Sequence, residues 1–91
     1  MLVGAVRVYS ETRDQAMVDA LIVQQYLLDS GAKDIDVTII PDDVVLIQGA
    51  VDISYTIRGN FFRRFLDRLK VRKAIKVARQ FNLRCELLWE C

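Results

Sequence analysis

Between Asn60 and Phe81 the chain carries two apolar sets that one straight helix cannot bury against one surface. At 100° per residue, Phe61, Phe62, Phe65, Leu66 and Leu69 fall within about 140° of arc. Val71, Ala74, Ile75, Val77, Ala78 and Phe81 gather on roughly the opposite side. Either the helix breaks near Leu69–Val71 and both halves face the core, or one set meets a second surface. A second subunit is one such surface, with Phe61, Phe62 and Phe65 as its expected interface. A membrane surface is another, because these phenylalanines beside Arg63 and Arg64 have the composition of an interfacial amphipathic helix.

The flanking segments supply the rest of the architecture. Leu2–Tyr9 is Val-rich and reads as a strand, with apolar residues on both faces interrupted by Arg7. That pattern suits a central strand covered on both sides. Thr12-Arg13-Asp14-Gln15 matches a capping box, in which Gln15 reaches back to residue 12. The helix it starts runs to about Asp29, and Ser30-Gly31 supplies the stop. Its apolar set is wider than one stripe, so it covers a sheet and something more.

Asp34–Ile40 alternates, with Ile35, Val37 and Ile39 inward, and Asp34 and Asp36 mark an edge strand. Pro41-Asp42 suits a type I turn. The next strand begins at Val44 and runs to Ile57, with Val45, Ile47, Val51, Ile53, Tyr55 and Ile57 on one face. Gly49 on that face marks a bulge or the close approach of a helix. Asn60 is the expected N-cap of the second helical region. In the last strand, Leu83–Trp89, alternation puts Leu83, Cys85, Leu87 and Trp89 inward and Arg84, Glu86 and Leu88 outward.

The order is βαββαβ. Its simplest packing is an α+β, ferredoxin-like split βαββαβ domain spanning residues 1–91, an antiparallel sheet with both helices on one face and the first and third strands central.

The formal net charge of +1 conceals a strong asymmetry. Residues 1–55 hold three basic and nine acidic groups, a balance of −6, whereas residues 56–91 hold ten basic and three acidic, a balance of +7. Arg64, Arg68, Arg72, Lys73, Lys76 and Arg79 all lie on the second helical region, and Arg72, Lys73, Lys76 and Arg79 are expected on one face. Such a face is the footprint expected for DNA or RNA phosphates, read with little sequence specificity. It equally suits an acidic protein, or simple solvation and pairing with the chain's own carboxylates. The outward positions of the third strand carry no aromatic residue, which disfavours base stacking on the sheet.

The 53% hydrophobic content excludes disorder and leans toward a core larger than one chain needs. A homodimer or higher oligomer is therefore expected. With no His, the commonest general base is missing, and the four glycines are isolated, so there is no phosphate-cradling loop. No catalytic residue, cofactor or metal site is expected. Cys85 and Cys91, six residues apart on a strand, lie roughly 20 Å from each other, too far for a bridge. Both are expected reduced, Cys85 in the core, which is compatible with the cytoplasm. No apolar run is long enough to span a membrane. The expectation is a small, non-enzymatic binding protein, acting on nucleic acid through its basic helix or as a homo-oligomeric interaction module.

Overall fold

The structure is a computed structural model and describes residues 1–40 and 49–91. Its elements are β1 (Leu2–Ser10), α1 (Arg13–Asp29), β2 (Lys33–Ile39), β3 (Gly49–Ile57), α2 (Phe61–Gln80) and β4 (Arg84–Glu90). The expected Pro41-Asp42 turn, the strand start at Val44, and the inward Val45 and Ile47 lie outside the described residues.

The four strands form one antiparallel sheet in the order β2-β3-β1-β4. β1 and β3 are central and β2 is an edge, as the charge on β2 implied. This is the ferredoxin-like split βαββαβ arrangement. Val6 and Val8 of β1 and Val51, Ile53, Tyr55 and Ile57 of β3 meet Ala16, Ala20, Val23 and Leu27 of α1 and Val71, Ile75 and Ala78 of α2. Among the described residues helices cover only this face of the sheet, so the expectation that β1 is covered on both sides is corrected. Arg7, Tyr9 and their neighbours form an open face.

Local chemistry explains where the helices begin and end. Thr12 Oγ1 accepts the Gln15 backbone N–H at 3.1 Å, which caps α1. The capping box is only half made, because the Gln15 amide donates forward to Asp19 at 2.9 Å instead of returning to residue 12. Gly31, at φ 98°, ends α1: its N–H donates to Leu28 and that of Ala32 to Leu27. Asn82, at φ 65°, plays the same part for α2, with Leu83 N–H donating to Ala78. Asn60 Oδ1 accepts the Arg63 N–H at 2.8 Å, as expected of an N-cap. Gly49 sits beneath the α1 cap, where a Cβ would lie 2.3 Å from the Thr12 carbonyl oxygen. The close approach of a helix is therefore the reason for this glycine.

α2 is one unbroken helix, which resolves the conflict between its two apolar sets. Val71, Ile75 and Ala78 are buried, whereas Phe61, Phe62, Phe65, Leu66 and Leu69 are exposed. α1 shows the same division, with Val18, Leu21, Ile22 and Leu28 exposed opposite its buried face. Ile39, expected inward, is 46% exposed because it lies at the edge of the sheet.

Candidate nucleic-acid interface

The basic residues of α2 divide according to what each face of the helix meets. Its buried face holds Asp67, Val71, Ile75 and Ala78. Four-residue steps place Arg64, Arg68, Arg72 and Lys76 in one inclined row. This row begins on the flank toward β4, and Arg79 joins it there.

Glu90 of β4 organises that flank. Its side chain is only 5% exposed and pairs with both Arg68 and Arg72. Arg72 Nη2 donates to Glu90 Oε1 at 3.2 Å, and the Tyr55 hydroxyl donates to Oε2 at 3.1 Å. Arg68 Nε rests against the same Oε1 as an ion pair. One carboxylate therefore positions two guanidiniums and leaves a net positive charge. Burial, followed by the neighbouring Glu90 charge, pushes the Tyr55 phenol far above its usual range. Arg79 Nε donates to the Cys85 carbonyl at 2.8 Å, a bond that spends no charge.

Lys73 does not share that flank. It turns toward α1 and lines a groove with Tyr26, Asp29, Ser30 and Lys70. The expectation of one face for Arg72, Lys73, Lys76 and Arg79 is corrected: neighbours 72 and 73 lie about 100° apart and straddle the outward crest. The side chains of Arg64, Lys73 and Lys76 have no hydrogen-bond or ion-pair partner among the described residues. Arg63 lies 3.3 Å from the buried Asp67, and Lys70 lies 4.0 Å from its other oxygen.

Phe61, Phe62 and Phe65 are 78%, 68% and 51% exposed, the expected behaviour of residues that the core does not claim. Phe61 and Phe65 line a shallow cleft with Leu2, Arg64 and Arg68, so the apolar patch adjoins the basic row. A larger open cleft lies beyond the other end of the row, lined by Arg79, Asn82, Arg84 and Tyr9 among others.

The open face of the sheet has a different chemistry. Arg7 donates twice to Asp52 directly opposite, at 2.7 and 3.1 Å, and this pairing raises its pKa. The Tyr9 hydroxyl donates to Glu86 at 2.5 Å, and burial followed by Glu86 raises its pKa. Asp36, Asp52 and Glu86 all belong to this face and oppose phosphate. Trp89 also lies here, 48% exposed, which overturns its expected inward position. The reason is a bulge in β4: Val6 pairs with Leu87 but Ala5 pairs with Trp89, leaving Leu88 as the extra residue. The face of every later residue is reversed, so Glu90 turns to the helix side. Strict alternation carried no sign of this, and the Glu90 anchor escaped the sequence reading for that reason.

Cys85 is buried, and burial raises its thiol pKa, while Cys91 is exposed and also free. No group of three or more potential metal ligands occurs among the described residues. Among the described residues no helix is long and apolar enough to cross a membrane. Comparison with protein-family models and with curated proteins finds no match.

Proposed function

We propose that this is a non-enzymatic binding domain that holds the phosphate backbone of nucleic acid along the flank of α2 beside β4. The observation that carries the reading is the row Arg64, Arg68, Arg72 and Lys76. Glu90 orders its two central guanidiniums without cancelling them. Each guanidinium has five N–H donors, so those facing solvent stay free for phosphate oxygens. Arg79 extends the row, and Lys73 contributes charge from across the crest. Such contacts give affinity without base specificity, and the carboxylates of the open sheet face keep the backbone on the helix side. With Cys85 and Cys91 free, the reading places this work in the cytoplasm.

The test is anisotropy titration of labelled duplex DNA and RNA. With four phosphates contacted, affinity is expected to fall about a hundredfold between roughly 50 and 200 mM salt. Arg64→Glu reverses a charge whose side chain pairs with no other described group, and is expected to weaken binding at least about threefold. Absence of binding at low salt overturns the reading.

A second reading, a homo-oligomeric interaction module, is favoured by a separate observation. The outward side of α2 carries Phe62, Phe65 and Leu69, 68%, 51% and 49% exposed, in an apolar patch that adjoins the basic row. A contiguous apolar surface of this kind marks an interaction site on a soluble protein. Concentration-dependent mass by light scattering tests it, and a monomer at high concentration defeats it.

A further inference from the structure

Resting on the second reading, we infer that the crest of α2 is covered by α1 of a second copy of this chain, each copy giving both helices to a two-fold interface. α1 presents Val18, Leu21, Ile22 and Leu28, and α2 presents Phe62, Phe65, Leu66 and Leu69. At about 100 Å² each, these eight side chains expose about 800 Å², the contribution of one partner to a standard stable interface.

Charge selects which helix meets which. α1 carries one Arg and three Asp, a balance of −2. α2 carries eight basic residues and one Asp, a balance of +7. Packing α2 on a second α2, or α1 on a second α1, sets like charges against each other. Packing α1 on the partner's α2 sets opposite charges together, and complementarity of this kind fixes register and partner choice. The outward acids of α1 are Asp14 and Asp29, both exposed, and the outward bases continuing the α2 crest are Lys73 and Lys76.

The layer geometry allows both contacts at once. α1 and α2 run antiparallel, since Gly31 at the end of α1 meets Asp67 early in α2 while Tyr26 shares a groove with Val77. A two-fold axis parallel to the helices lays each α1 over the partner's α2 and closes the assembly. It also brings each end of the layer against its own copy. At one end Leu28 lies near Leu66 and Leu69. At the other, Val18, Leu21 and Ile22 lie near Phe81, itself 67% exposed. Apolar groups thereby meet apolar groups at both ends, and the middle pairs Lys73 with the partner's acidic helix.

The experiment is the dimer dissociation constant of the full chain by analytical ultracentrifugation. Leu21→Asp and Phe65→Asp, on different helices, are each expected to raise it at least about tenfold. Lys73→Glu with Lys76→Glu is expected to raise it likewise, and adding Asp14→Lys and Asp29→Lys to the same chain should restore it to within about threefold. A monomer at about 500 µM overturns both the self-association reading and this pairing. A dimer that tightens on reversal of Lys73 and Lys76, or is indifferent to Leu21→Asp, keeps self-association but overturns this pairing.

Discussion

Gly4 and Tyr55 face each other across the β1–β3 ladder so closely that a Cβ on Gly4 would lie 2.4 Å from the phenolic oxygen and 2.5 Å from Cζ. The tyrosine ring occupies the space that a side chain at residue 4 would need, and from there its hydroxyl reaches Glu90. Gly4→Ala must push the ring aside. A loss of about 1–3 kcal/mol is expected, read as a lower urea midpoint with an unchanged slope. Adding Tyr55→Phe should not rescue it, because the ring carbon that clashes remains.

Glu90 offers a separate test of how the basic flank is built. Glu90→Gln leaves Arg68 and Arg72 adjacent without their common carboxylate. The two arginine side chains are 44% and 50% exposed, so solvent screens much of the effect. A loss of about 1–2 kcal/mol is expected. Nucleic-acid affinity at low salt is expected to fall, since the two guanidiniums lose the carboxylate that orders them. A rise in affinity would show that Glu90 acts mainly as a negative charge opposing phosphate and not by holding the arginines in place.

Alkaline pH provides a third test. In the folded chain Tyr55 keeps its proton well above the usual phenol range, because burial and then the Glu90 charge oppose ionisation. The unfolded chain releases the same proton near about pH 10. Above that pH the native state binds more protons than the unfolded state, so stability declines as pH rises. Below it the contribution is fully present. Urea unfolding at pH 8 and pH 11 should show the decline, and Tyr55→Phe should flatten it. An unchanged slope in Tyr55→Phe would refute the assignment.

Much of the fold was legible because local signals agreed with each other. Thr12 and Asn60 mark helix starts, Gly31 a helix stop, and the alternation in β3 sets its buried face. The paired apolar sets of residues 61–81 likewise announced a conflict, although only the structure shows that the helix stays whole and leaves its phenylalanines outside. Two things were not legible. The bulge at Leu88 depends on how β4 pairs with β1, 80 or more residues away in the chain, and no local pattern encodes it. The division of α2's charges was hidden for a related reason. Helical angles show that Lys73 and Arg72 differ in direction, but not that β4 lies on one side with a buried acid and α1 on the other.

The extra residue in β4 amounts to a phase shift in an otherwise two-step rhythm. Were the same residues paired without the bulge, Trp89 would enter the core and Glu90 would join the acids of the open face, leaving Arg68 and Arg72 with no counter-charge. A single inserted position thus exchanges the roles of an indole and a carboxylate at no cost in sequence composition. Deleting Leu88 is therefore a shortening and not an inversion. With the extra residue gone, regular pairing carries Leu87, Trp89 and Glu90 opposite Val6, Ala5 and Gly4 as now, and an indole fluorescence like that of the parent chain would report that the strand's end keeps its faces.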